Sequence, residues 1–169
     1  MIGLVEKLYR TCDLTDDELA ALIGTDDKEA AELLKRRADE VHRREYGSKV
    51  YLRGLIEISS YCRNDCFYCG IRRSNSDAER YRLSHEEILA YCENGYGLGF
   101  RTFVLQGGED GSFTDDVMCG IISDIRAKFP DCAITLSLGE RSRSSFERMK
   151  NAGADRYLLR HEAASQELY

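Results

Sequence analysis

Cys62, Cys66 and Cys69 crowd into eight positions of a 169-residue chain, in the pattern C-x₃-C-x₂-C. Thiolates are the soft donors that hold iron–sulfur clusters and zinc. Three of them on one tight loop can take three corners of an iron–sulfur cube and leave one iron open to a further ligand. A closed structural zinc site takes four ligands. No fourth Cys or His lies close in sequence: Cys92 falls in a predicted helix, and His85 is 16 residues beyond Cys69. A zinc loop completed from a distance and cysteines that merely fill a core are the competing readings. Cys12, Cys92, Cys119 and Cys132 stand apart and read as small apolar core residues or weakly exposed thiols. The count of 7 is odd, and the start, MIGLVEKLYRTCD, lacks the apolar stretch of a secretory signal. A full disulfide framework is therefore not expected, and a cytoplasmic setting is.

A second constellation is Gln106-Gly107-Gly108-Glu109-Asp110. Paired glycines let a backbone come close to a ligand, and a carboxylate can accept from an ammonium. Alone, such a pair is most simply a turn. It gains weight from its place directly after a predicted strand. Three further polar residues fall at later strand ends, Ser137 in TLSLGE and Arg160 and Glu162 in LLRHE. By themselves they read as an ordinary strand-end serine and a structural ion pair. Arg72 and Arg73 follow the cysteine loop and either balance thiolate charge or face solvent.

The elements that must position these residues are legible in outline. Residues 1–46 read as helical, with a capping box at Thr15 and Glu18 and an apolar face of Leu19, Leu22 and Ile23. A second helical run, capped by Thr25 or Asp26, passes through Ala30, Leu33, Leu34, Ala38 and Val41 to Gly47. Its Lys- and Arg-rich side is most simply a solvated face. Strands are predicted at Val50 to Ile58, Thr102 to Leu105, Ala133 to Leu136 and Arg156 to Leu159. Helices opened by Ser84, Thr114 and Ser142 lie between them, and another begins in SQELY. Alternation of this kind gives an α/β fold with a parallel sheet and helices outside. Residues 1–47 form the helical segment, and 48–169 form four β/α units, half of a (β/α)₈ barrel. The cysteine loop follows the C-terminal end of the first strand, where barrel enzymes place their chemistry. Half-barrel edges are unpaired strands. The sequence is therefore expected to be a portion of a longer enzyme, with a complete small open-sheet domain as the alternative.

Composition excludes other classes. A net charge of −6 disfavours nucleic-acid binding through phosphate neutralisation and attraction to a membrane surface. No apolar run nears the ~20 residues of a membrane span.

The cysteine pattern, with the aromatic Tyr68 just before its last Cys, resembles the cluster motif of the radical SAM superfamily. LRGLIEISSYCRNDCFYCGIRRSN, LQGGED, TLSLGE and DRYLLRHEAASQELY further resemble the [FeFe]-hydrogenase maturase HydE family. Biotin synthase and methylornithine synthase are its near relatives. The resemblance implies the N-terminal half of a radical SAM (β/α) barrel preceded by helices. It implies a [4Fe–4S] cluster on Cys62, Cys66 and Cys69, whose open iron is chelated by S-adenosyl-L-methionine. One electron then cleaves the bound sulfonium to methionine and a 5′-deoxyadenosyl radical. Contacts to that cofactor are implied for Tyr68, Gln106, Gly107, Gly108, Glu109, Ser137, Arg160 and Glu162, with Arg160 on the methionine carboxylate. A small-molecule substrate, the maturases HydF and HydG, a reducing electron donor and an anaerobic host are implied in turn. So is a second half-barrel, without which the radical is poorly enclosed and the chain alone is expected to be inactive. A non-catalytic metal-binding module and an inert fragment are the readings of another class.

Overall fold

Thr15 stops the chain from continuing one helix into the next. Its hydroxyl accepts from the Glu18 N–H, and the Glu18 carboxylate takes the Thr15 N–H at 2.9 Å, closing a capping box. The computed structural model describes residues 1–160, so Glu162 and the helix expected in SQELY lie outside the described residues. Three helices make the first of two compact units, Met1–Tyr51: α1 (Ile2–Thr11), α2 (Asp16–Ile23) and α3 (Lys28–Tyr46). Asp27, rather than Thr25 or Asp26, caps α3, accepting from the N–H groups of Glu29 and Ala30. Val5, Leu22 and Ala30 form a small core. Leu19 and Ile23 were expected beside Leu22, yet they are 45% and 76% exposed. Two turns of helix present only a narrow stripe to α1, and Leu22 and Glu18, the latter paired with Lys7 at 2.6 Å, occupy it. The basic side of α3 is held by ion pairs, with Arg37 bridging Glu6 at 2.7 Å and Glu40 at 2.8 Å.

The second unit begins at Leu52. Its strands β1 (Gly54–Ser59), β2 (Thr102–Gly107), β3 (Ala133–Ser137) and β4 (Arg156–Tyr157) are all parallel, in the order β1-β2-β3-β4. The helices α4 (His85–Gly97), α5 (Asp115–Lys128) and α6 (Arg143–Ala152) connect them. β1 starts at Gly54 and not at Val50. Gly54 pairs with Phe103 near the head of β2, so among the described residues Val50, Tyr51 and Leu52 have no ladder partner, and they are 86%, 67% and 68% exposed. β4 is likewise two residues long, although Leu158 N–H still reaches the Leu136 carbonyl at 2.8 Å.

Alternation sorts the side chains. Ile56, Ile58, Phe103, Leu105, Ile134 and Leu136 pack with Ile88, Cys92, Met118, Ile121, Ile122, Ile125 and Met149 of the helices in one buried core. Burial pushes the Cys92 thiol up to about 12, as an apolar site should, so this thiol is a core group rather than a ligand. The opposite face carries in-register rows, Leu55–Val104–Thr135 and then Glu57–Gln106–Ser137. Among the described residues, no helix is long and apolar enough to cross a membrane.

Candidate functional site

The end of β1 delivers the chain to the cysteines. Ser59 and Ser60 are buried, and the returning segment is tied to them: Ser60 N–H donates to the Tyr81 carbonyl at 3.1 Å and Tyr81 N–H to Ser60 Oγ at 2.8 Å. Between these anchors the cysteine loop is built from turns. Cys69 N–H donates to the Cys66 carbonyl at 3.0 Å, Arg73 N–H to the Asn64 carbonyl at 2.9 Å, and Ser74 N–H to the Asp65 carboxylate at 2.9 Å. Cys66 is exposed, while Cys62 and Cys69 are half-buried, and all three are free thiols. Phe67 and Tyr68 stand outward at the loop tip, 99% and 65% exposed. Arg72 folds back onto the Cys69 carbonyl at 3.1 Å, and Arg73 is exposed.

The glycine-rich segment after β2 lies against this loop. Gly108 N–H donates to the Ser59 carbonyl at 3.3 Å, and Glu109 N–H donates to Cys62 Sγ at 3.4 Å. Arg63 N–H in turn donates to the Glu109 carbonyl at 3.1 Å. The approach is so close that a Cβ on Gly108 would sit 2.7 Å from Cys62 Cβ and nearer still to the Tyr61 carbonyl oxygen. The Glu109 side chain is 13% exposed and held from two sides. Arg63 pairs with Oε2 at 2.7 Å, and Glu140 N–H donates to Oε1 at 3.0 Å. Gly139, at φ +75°, leaves the space that this carboxyl fills. A cleft of about 250 Å³ opens beside Glu109, lined among others by Arg63, Leu138, Glu140 and Arg141.

The other sequence-predicted residues sit along the ends of β2 and β3. Gln106 Nε2 donates to Glu57 at 3.1 Å, and Gln106 Oε1 accepts from Arg160 at 3.0 Å. Ser137 pairs with Gln106 in the ladder and is buried. Arg160 is thus brought to Gln106, whereas Glu162 is outside the described residues.

Asp110 anchors the whole arrangement. Its carboxylate accepts from Ser59 Oγ at 2.6 Å, Arg82 at 2.6 Å and 3.1 Å, and Ser112 N–H at 3.0 Å. The Arg82 guanidinium also stacks on Tyr61, 3.7 Å from the ring centroid. Burial opposes ionisation of Asp110, but the hydrogen bonds from Arg82, Ser59 and Ser112 together outweigh it and bring its pKa down to about 2. The folded value lies below the unfolded one of roughly 3.9. The stabilisation is therefore full above pH ~4 and is lost as pH falls through ~2, and its size is on the order of 2 kcal/mol. Urea titrations of wild type and Asp110→Asn should differ most at neutral pH and converge near pH 2. A gap that stays constant down to pH 2 would contradict this assignment.

Sequence reasoning missed the supporting parts played by Arg63, Arg82, Asp110 and Gly139, because each acts through a partner far away in sequence. Glu57 did offer a signal, since a lone charge inside an apolar strand of a parallel sheet, normally buried on both faces, calls for a purpose.

Three free thiols on one loop are a donor set whose chemistry suits an iron–sulfur cube, which asks for one thiolate on each of three irons. Among the described residues, no three of His, Cys, Asp and Glu gather round one point. An N–H already aimed at Cys62 Sγ is the kind of bond that supports a cluster-bound sulfur.

A profile of the Radical SAM superfamily matches residues 56–169. The chain belongs to the radical SAM superfamily. It is 42% identical over 166 residues to the [FeFe] hydrogenase maturase subunit HydE of Thermotoga maritima, covering 98% of this chain and 47% of that protein. It is 31% identical to a 3-methylornithine synthase of Methanosarcina acetivorans, covering 97% of this chain and 47% of that one. The crystal structure of methylornithine synthase (PylB) superposes with a TM-score of 0.80 at 28% identity, over 98% of this chain and 49% of that chain. The chain therefore spans about half the length of the curated relatives it matches. Its four parallel strands with outer helices correspond to half of a radical SAM barrel.

Proposed function

We propose that this chain carries the cluster-binding half of a radical SAM enzyme of the HydE type, acting on a small molecule in assembly of the [FeFe]-hydrogenase active site. HydF, HydG and a reducing electron donor are the partners this reading implies. Cys62, Cys66 and Cys69 hold three irons of a [4Fe–4S] cluster. When bound, that cluster supplies the electron that splits S-adenosylmethionine. The protein's own part is to orient. Glu109 and the Gly107–Gly108 backbone receive the methionine ammonium. Arg160, drawn to Gln106, is a fork suited to the carboxylate. Ser137 and Glu162 complete the polar strand ends, and Tyr68 flanks the adenine.

One observation carries the reading: the cysteine loop and the glycine-rich segment converge, with Glu109 N–H on Cys62 Sγ and no room for a side chain at Gly108. A zinc loop has no need of a carboxylate-bearing glycine turn beneath it. The 31% identity to 3-methylornithine synthase keeps a methylornithine synthase-like or biotin synthase-like radical SAM enzyme as the second reading of the same site.

Anaerobic reconstitution with iron and sulfide tests the proposal. The expected result is a reduced-cluster EPR signal that changes when S-adenosylmethionine is added, because the fourth iron is free to bind it. Uptake of zinc with no iron–sulfur chromophore would overturn the proposal.

A further inference from the structure

We infer that Arg80 is the positioning residue that closes the cysteine loop and sets the spacing of its three thiols. The inference rests on the cluster reading above. Residues 60–80 contain no helix or strand. Their carbonyl groups therefore lack the partners that a helix or sheet would provide, and each needs a donor. One side chain supplies four of them. Arg80 donates to the carbonyls of Ser60, Ile71 at 2.8 Å, Arg72 at 2.7 Å and Asn75 at 3.1 Å.

The positions of those acceptors matter. Ser60 lies two residues before Cys62, and Ile71 lies two residues after Cys69. A single planar group therefore bonds to the chain just before the first cysteine and just after the last. It fixes the separation of the loop's two feet, and the feet fix where the thiols can stand. The platform beneath is registered to β1. Ser60 Oγ donates to the Glu79 carbonyl at 2.9 Å, and Ser60 N–H to the Tyr81 carbonyl. Arg80 thus cannot slide along the chain without breaking the Ser60 bonds on either side of it.

The guanidinium is suited to this task where an ammonium is not. It offers five N–H donors in one rigid plane, whereas lysine offers three on a rotating head. Arg80→Lys therefore keeps the positive charge at this position and removes the geometry, which separates the two effects.

The test uses the full chain, wild type and Arg80→Lys, in two measurements. In the metal-free proteins, hydrogen exchange of backbone amides in 60–76 should be about tenfold faster in Arg80→Lys, the equivalent of about 1.4 kcal/mol in local opening. Amides of α4, α5 and α6 should be unchanged. After reconstitution, Arg80→Lys should bind less than about a third of the wild-type iron, and what binds should give a broadened EPR signal, because thiols left at variable spacing ligate unevenly. Unchanged exchange in 60–76 would overturn the inference. Faster exchange with full loading and an unaltered EPR signal would also overturn it, since Arg80 would then be structural only. Should Arg80→Lys loosen the helices as well, Arg80→Ala with added millimolar guanidinium decides: recovery of iron loading supports the clamp, and no recovery refutes it. Failure of the wild type itself to bind a cluster would sink the cluster reading and the thiol-positioning role with it, while the exchange comparison would still report whether Arg80 closes the loop.

Discussion

Replacing Cys66 by alanine is expected to abolish cluster loading, whereas replacing Cys119 by alanine leaves it intact. Both thiols are free and neither is deeply buried, so the two variants differ in position rather than in chemistry. Cys66 lies between Cys62 and Cys69 on the loop, and its N-terminal neighbours are fixed by Arg63 on Glu109 and Asp65 on Ser74. Two thiolates cannot hold three irons, and the other four cysteines are elsewhere: Cys92 and Cys132 are buried in the core, Cys119 packs against it from α5, and Cys12 belongs to the helical unit. Reaching Cys92 or Cys132 would require the sheet to come apart from its helices. Iron and sulfide per chain, measured after anaerobic reconstitution, check this. A clear loss of cluster in Cys119→Ala, or retention in Cys66→Ala, would move the ligand set away from the loop.

The second large effect is expected from the smallest change. Gly108→Ala adds one methyl, and that methyl meets the Tyr61 carbonyl and, at 2.7 Å, Cys62 Cβ. Neither neighbour is the free end of a flexible side chain, so relief requires the backbone of the cysteine loop or of the glycine turn to move. Overpacking of this kind costs roughly 1–3 kcal/mol, and more where the backbone itself must move. The displacement also breaks the bonds that make the site: Gly108 N–H to Ser59, Glu109 N–H to Cys62 Sγ and Arg63 N–H to the Glu109 carbonyl. Cluster loading should therefore fall about tenfold, as loss of about 1.4 kcal/mol of binding requires. Gly111→Ala is the matched comparison, since none of the described residues lies within 4 Å of the Cβ it would introduce. Urea midpoints and iron content of the two variants check the claim. Equal behaviour would mean that the loop and the turn are not coupled.

These effects share a cause. The glycine turn is a floor on which the cysteine loop rests, and Glu109 and Asp110 are consecutive residues with opposite duties. The Glu109 side chain reaches the cleft beside Arg63 and Glu140. The Asp110 side chain turns inward to Ser59 and Arg82 and holds the turn to β1. Ionic strength should barely affect the buried Asp110 anchor, whereas the Arg63 contact to Glu109 is screened on its exposed side.

Much of this was legible as spacing along the chain. The three cysteines, the glycine pair and the strand–helix alternation are local patterns, and they point to a cluster loop and a ligand turn at the ends of successive parallel strands. The helix starts at Thr15 and Ser84 are local too, and both form capping boxes. Errors occurred where a neighbour decides. β1 begins at Gly54 because its pairing with β2 begins there, opposite Phe103, and Ile23 is exposed because among the described residues no element covers it.

Covalent spacing alone, then, determined which residues could bind a cluster, since ligands a few positions apart remain neighbours in any fold. The sequence could not state which groups hold those residues in place. Arg82 meets Asp110 across 28 positions, Arg63 meets Glu109 across 46, and Arg160 meets Gln106 across 54. Such pairs exist only once the parallel strands have taken their register, because register sets which strand ends lie side by side. Tertiary structure supplied that alignment, and with it the clamp, the anchor and the floor of the site.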